Sequence, residues 1–210
     1  GFLNTASRIY RYPFPDQLLI HAQRPKVTAC ASYEIWNRRM RRYIRRGSKG
    51  IGLIRVKNGY PRLRYVFDVA DTGKKEDSCT PWLWEYQDQH QDTVTRALEA
   101  RFGVSGEYGL ADQLQRVAGQ LAEDFWQDHQ RDIVYECEGS RLEELDEHSI
   151  GLKFQIVMTV SVSYVLNTRC GLDLRQGFTA EDFQDIPDFD TQRIVKILGA
   201  AVSQASEQML

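Results

Sequence analysis

Ile51-Gly52-Leu53-Ile54-Arg55-Val56-Lys57-Asn58-Gly59-Tyr60-Pro61-Arg62-Leu63-Arg64-Tyr65-Val66-Phe67-Asp68-Val69 decides what kind of fold the first third of the chain adopts. The six residues from Ile51 are an apolar run of strand length. Lys57-Asn58-Gly59 reads as a hairpin turn, since Asn and Gly tolerate the positive φ that a tight turn between twisted strands demands. Leu63 to Val69 is the returning strand, and alternation places Leu63, Tyr65, Phe67 and Val69 on one face.

Working outward from the hairpin, Gly47-Ser48-Lys49-Gly50 is a turn that feeds the first strand. Pro15 stands at a helix start before Asp16-Gln17-Leu18-Leu19-Ile20-His21-Ala22, a short helix stopped by Arg24-Pro25. Ser32 caps a second helix, Tyr33 to Met40, which carries Ile35 and Trp36 toward a core. On the other side, residues 71–81 are polar and unpatterned, a loop and the best boundary in the chain. Beyond it the pattern turns helical. Val94, Leu98 and Phe102 recur at helical spacing before Gly103, and Leu110, Leu114, Val117, Leu121, Ala122 and Phe125 form a stripe. Ser140 with Glu143 and Thr179 with Asp182 have capping-box spacing. A helix apolar on most sides runs from Ser149 to Gly171 and is the expected centre of a bundle. A last helix from Asp190 carries Ile194, Leu198, Ala201 and Val202. The expected fold class is therefore α+β: a small antiparallel sheet with short helices over residues 1–75, packed against a C-terminal α-helical bundle over residues 76–210.

Charge follows the same division. The chain of 210 residues has a net charge of only -2. Residues 1–75 nevertheless hold 17 lysines and arginines against four acids (Asp16, Glu34, Asp68, Asp71), while residues 76–210 hold 10 against 25. Such asymmetry points to nucleic acid or another anionic surface. Arg38-Arg39-Met40-Arg41-Arg42-Tyr43-Ile44-Arg45-Arg46-Gly47-Ser48-Lys49-Gly50 concentrates it. Arginine offers paired donors to phosphate, and a glycine turn adds backbone N–H groups. The expected phosphate contacts are Arg38, Arg41, Arg42, Arg45, Arg46 and Lys49. Tyr12, Phe14, Trp36 and Tyr43 are candidate stacking platforms for unpaired bases. Arg11, Gln17 and Gln23 are candidates for positioning the backbone. A solvated basic face, or one docked on the acidic half of the same chain, explains the same composition.

The stretch Arg11-Tyr12-Pro13-Phe14-Pro15-Asp16-Gln17-Leu18-Leu19-Ile20, then Ala22-Gln23-Arg24-Pro25, then Trp36, then Arg42-Tyr43-Ile44-Arg45-Arg46-Gly47-Ser48-Lys49-Gly50-Ile51, resembles the N-terminal domain of the ArdC-type antirestriction proteins. The spacing agrees over roughly residues 2–70, and the closing Val66-Phe67-Asp68-Val69 resembles that family's last strand. The resemblance implies non-specific single-stranded DNA binding, in bacterial plasmids, conjugative elements and other mobile elements. Three positions depart from the family pattern: Asp16 stands where Asn is usual, Arg41 where Gly is usual, and Ser48 where Glu is usual. Within these 210 residues the H-E-x-x-H motif of the zinc-protease domain that follows in full ArdC proteins does not occur. None of His21, His90, His129 and His148 has a second His four residues on. Residues 82–210 resemble instead the acidic helical extension joined to such domains in very large mobile-element proteins.

No catalytic residue, metal or cofactor is expected. Gly47-x-x-Gly50-x-Gly52 precedes a strand, so it is neither a Walker loop nor a dinucleotide fingerprint. Glu143-Glu144 with Asp146-Glu147, Asp185 with Asp188 and Asp190, and Asp68 with Asp71 read as caps, turns and solvated faces. Cys170 sits at a helix C-terminus, which disfavours a thiolate. Trp82-Leu83-Trp84 reads as packing. Four cysteines without C-x-x-C spacing suggest reduced thiols in a cytoplasmic protein. Phe154 to Leu166, the most apolar run, is interrupted by polar residues and reads as a buried helix, not a membrane span. The leading Gly1 reads as the start of a fragment of a longer protein. The expected partners are single-stranded DNA and other domains of that parent. The rival expectation is a protein-interaction module whose acidic half mimics DNA or docks a partner enzyme.

Overall fold

A computed structural model describes residues 1–81, 86–175 and 177–210, so Trp82-Leu83-Trp84 lies outside the described residues. The chain divides into two compact units, Gly1–Trp84 and Glu85–Leu210. The first combines short helices with small antiparallel sheets, and the second is helical.

The basic unit opens with a short helix, α1 (Phe2–Ala6), which the sequence pattern does not announce, followed by α2 (Phe14–Gln23). Strand β1 (Cys30–Ser32) leads to a single π turn, Ile35–Arg39, and β2 (Arg42–Ile44) follows. The hairpin is β3 (Ile51–Lys57) and β4 (Tyr60–Asp68). Asn58 (φ 54°) and Gly59 (φ 79°) make the two-residue turn, both in the left-handed region that this hairpin type requires. A 3-10 turn, Val69–Asp71, then enters β5 (Thr72–Lys74). The sheets are β1-β4-β3 and β2-β5. Part of the expected loop over 71–81 is thus a strand, held by pairing with β2 (Tyr43 opposite Gly73).

The core qualifies one expectation and corrects another. The hairpin register pairs Ile54 with Leu63 and Gly52 with Tyr65, so Leu63, Tyr65 and Phe67 share the face opposite Ile51, Leu53 and Val66. It is the second set that is buried, with Ile9, Ile20 and Val27 beneath α2 and the segments flanking it. Leu63 and Tyr65 are exposed, and Val69 belongs to the 3-10 turn. The second helix is likewise not a full α-helix. Met40 N–H donates to Ile35 C=O, a five-residue span, and this one wide turn buries Trp36 but leaves Ile35 exposed. The Trp36 indole N–H donates to Phe67 C=O at 2.8 Å.

The acidic unit contains α3 (Gln91–Phe102), α4 (Leu110–Glu136), α5 (Glu147–Cys170) and α6 (Gln192–Met209). Helix α5 packs against both α4 and α6. Phe154, fully buried, lies with its ring 5.9 Å from that of Phe125 and 6.2 Å from that of Phe189. By length and composition α5 is the helix among the described residues that could cross a membrane, yet most of its apolar side chains are buried in this core. Asp146, not Ser149, caps it by accepting from Ser149 N–H, and Gly171 (φ 70°) ends it. Ser140 and Glu143 stabilise a turn rather than a helix start, and Thr191 caps α6.

Candidate nucleic-acid interface

The acids of the basic unit are largely consumed by its fold. Asp68 is buried, accepting from Thr28 N–H at 2.7 Å and Ala70 N–H at 3.0 Å. Asp71 accepts from Asp68 N–H, completing the capping box, and is ion-paired with Arg24. Asp16 is buried near the start of α2, where the helix dipole favours a carboxylate. Arg55 comes within 3.0 Å of its Oδ2, as an ion pair without hydrogen-bond geometry. A charged partner for Arg55 gives Asp16 a structural role that a neutral Asn could fill only in part.

The candidate residues divide into those the fold uses and those it leaves out. Tyr12 donates its hydroxyl to Cys30 C=O at 2.9 Å, and burial pushes its phenol up to about 12. Phe14 is buried with its ring edge-on to Phe2. Neither presents a free ring, so both are removed from the stacking set, as is Trp36. Gln17 is buried and donates to Tyr12 C=O at 2.7 Å. Gln23 accepts from Gly52 N–H at 2.8 Å and donates to Gly52 C=O at 2.9 Å, acting as a ladder partner for edge strand β3. These two glutamines bind the chain's own backbone. Arg42 is buried in β2, its Nε donating to Thr72 Oγ1 while Nη1 is enclosed without a hydrogen-bond partner. It is withdrawn from the phosphate contacts because solvent does not reach it.

Arg11, Arg38, Arg45, Arg46 and Lys49 are exposed. Arg11 stacks over Tyr10, and Arg45 makes a long contact of 3.4 Å to Ala70 C=O. Arg41 is exposed but ion-paired with Asp77 at 2.7 Å. Its φ of 50° lies in the left-handed region that favours glycine. Tyr43 alone of the four stacking candidates is exposed, its ring lying across Gly73, where a Cβ would meet the ring at 2.2 Å.

What sequence reasoning missed is an aromatic surface on the outer face of the hairpin. Gly50 allows Phe67 and Tyr65 to approach the strand, since a Cβ there would meet both at 3.1 Å. Tyr33, Tyr65 and Phe67 border a shallow depression of about 540 Å³ with Ser48 and Gly50. Lys49 lies between those two in the chain, and Arg46 occupies the turn closed by Ser48 N–H donating to Arg45 C=O. Arg64 and Glu34 complete the rim. Glu34 is held below the usual carboxylate range by its own backbone N–H and the Ser32 hydroxyl, with help from Arg38 and Arg64. The signal was available: glycines facing aromatics across two strands. It becomes legible only once the register is known.

No protein-family model, curated protein or solved structure matches the chain. Among the described residues no group of His, Cys, Asp and Glu is arranged to hold a metal ion.

Proposed function

We propose that the basic unit binds nucleic acid, single-stranded DNA foremost, as a module of a larger mobile-element protein. The observation that carries this reading is the aromatic depression of Tyr33, Tyr65 and Phe67, which Arg64 also lines and whose residues Ser48 and Gly50 flank the exposed Lys49 in the chain. Unpaired bases need flat apolar surface within reach of phosphate-binding cations, and each stacked base contributes about 1–3 kcal/mol. Arg38, Arg45 and Tyr43 extend the exposed surface. The resemblance to the ArdC N-terminal domain supports the same reading. So does the left-handed backbone at Arg41, where that family carries glycine.

The test is binding of a labelled oligothymidine across a salt series. The wild type is expected to weaken steeply with salt as counterions are released. Arg46→Ala/Lys49→Ala should flatten the slope of log K against log salt by about 1.4, at about 0.7 per single-strand phosphate contact. Tyr65→Ala should weaken binding at least five-fold without changing that slope. Failure of the wild type to bind single strands near 50 mM salt, where such proteins bind tightly, overturns the reading.

A further inference from the structure

The distal half of the β3–β4 hairpin extends beyond the elements that bury its base. Ile51, Leu53 and Val66 are buried, whereas every residue from Ile54 to Tyr65 is exposed. The four residues Ile54 to Lys57 advance about 13 Å at roughly 3.3 Å per residue, so the exposed part is comparable in length to several stacked bases.

The register sorts this blade into two chemically opposite faces. Arg55 pairs with Arg62, Lys57 with Tyr60 and Leu53 with Arg64, so Arg55, Lys57, Arg62 and Arg64 lie on one face. Ile54 pairs with Leu63 and Val56 with Pro61, so these four apolar side chains lie on the other. Val56 is 73% exposed, Leu63 60% and Ile54 55%. Like charges directly opposite each other destabilise a strand pair; Arg55 is ion-paired with Asp16, and among the described residues no ion pair is seen for Arg62. A hairpin folded for stability alone would not place Arg62 opposite Arg55 while turning Ile54 and Leu63 to water. Both costs are recovered when one face meets phosphates and the other meets bases.

Resting on the nucleic-acid reading above, we propose that this hairpin is a wedge that recognises the junction between duplex and single strand. The apolar face of Ile54, Val56 and Leu63 packs on the exposed, flat apolar end of the last base pair. Arg55, Lys57, Arg62 and Arg64 hold the phosphates of the strand that passes behind. The same outer face continues through Tyr65 and Phe67 into the aromatic depression, so the separated strand has a stacking surface to enter. Apolar side chains inserted at base steps are an established way for proteins to unstack DNA, and a blade with one cationic face is suited to it.

The experiment compares the full chain on three labelled DNAs of equal nucleotide number: a single strand, a blunt duplex and a fork with two unpaired arms. The fork is expected to bind at least five-fold more tightly than either of the others. All absolute affinities should fall from 50 to 200 mM salt, the fork's most steeply because it adds the phosphate contacts of this face, and the fork preference should narrow but persist through the apolar contact. A 2-aminopurine placed at the junction should brighten on binding as it is unstacked. Ile54→Ser/Leu63→Ser should abolish the fork preference and the brightening while leaving single-strand affinity within two-fold. Both positions are exposed, and an unchanged melting temperature checks that the double variant still folds. Arg62→Ala/Lys57→Ala should weaken fork binding and reduce its salt dependence. Binding of single strands without fork preference overturns this proposal alone, and binding of no DNA overturns the underlying reading with it. An association of two chains through this face, seen as a doubled mass that Ile54→Ser/Leu63→Ser abolishes, also overturns it.

Discussion

The two units treat their minority charges in opposite ways. In the basic unit three of the scarce acids are drawn into the fold, while Glu34 and Asp77 stay exposed: Asp68 caps backbone N–H groups, Asp71 holds Arg24, and Asp16 sits under Arg55. In the acidic unit the scarce bases are nearer the surface and bridge other side chains. Lys153 joins Asp185 and Asp188, Arg193 meets Glu136 and Glu138, and Arg141 meets Asp190. Those bases tie helices and turns together but satisfy no buried backbone. The difference teaches where the excess charge goes. Asp71 serves the backbone and Arg24 at once, and Asp16 faces Arg55, but so few acids leave most of the unit's cations without a carboxylate. The acidic unit pairs several of its bases and keeps its surplus carboxylates in water.

The sharpest way to break this contrast is to remove one minority charge from each unit. Asp68→Ala strands the Thr28 and Ala70 N–H groups and should cost about 3 kcal/mol, the scale of losing charged hydrogen bonds from a buried site. Lys153→Met removes an ion pair whose partners are 22–30% exposed, and should cost no more than about 1 kcal/mol after solvent screening. Denaturant melts of the two variants read the ratio. Equal losses would mean that the buried carboxylate serves its unit no better than a surface pair does.

That asymmetry also explains what was legible beforehand. Helix α2, the Asn58-Gly59 turn and the long helices of the acidic unit are local in origin, written in periodicity and turn chemistry, and the structure contains them. Strands β1, β2 and β5 are three residues each and exist only through pairing with distant partners, so no local pattern announces them. For the candidate site, composition identified the cations but not their fates. Arg42 and Arg46 are neighbours in one basic run, yet Arg42 occupies an inward position of β2 and Arg46 a turn. Alternation finds the stripe Leu63-Tyr65-Phe67 as a face without saying which way it points. The packing of α2 against Ile51 and Leu53 decides that.

Alkali offers a second contrast, of moderate size. In the basic unit burial raises the Tyr12 phenol to about 12 and the Cys30 thiol to about 12. In the acidic unit burial raises Cys137 and Cys170, each to about 11. All four groups are favoured neutral by the folded state, whereas unfolded Cys and Tyr ionise near roughly 8.5 and 10. Above those values the unfolded chain binds fewer protons than the native one, so stability falls as pH rises. It should be flat up to about pH 8 and decline from there toward pH 11, with the acidic unit falling further over that window because both of its groups are thiols, whereas Tyr12 contributes only above about pH 10. Tyr12→Phe should remove the tyrosine's share of the decline above about pH 10, leaving that of the thiols, while losing the bond to Cys30. Denaturation midpoints at pH 7, 9 and 11 measure it, and a midpoint that rises with pH would contradict the buried, neutral assignment of these groups.

The smallest effect separates a paired cation from a free one within the basic unit itself. Arg41 is held by Asp77, with both side chains mostly exposed, while its backbone sits at φ 50°. Arg41→Gly relieves a left-handed conformation worth about 1 kcal/mol to a residue with a Cβ. It loses a surface ion pair worth no more than about 1 kcal/mol, and the freer unfolded chain of glycine takes back a similar amount. The melting temperature should therefore change little. The informative quantity is the salt dependence of single-strand binding. A cation already neutralised by Asp77 displaces few counterions from DNA, so Arg41→Gly should leave the slope nearly unchanged, while Arg46→Ala alone lowers it by about 0.7. Equal slopes for the two variants would show that DNA competes Arg41 away from Asp77. Arg41 would then be an added phosphate contact, and Asp77, the acid that pairs with it, a brake on binding.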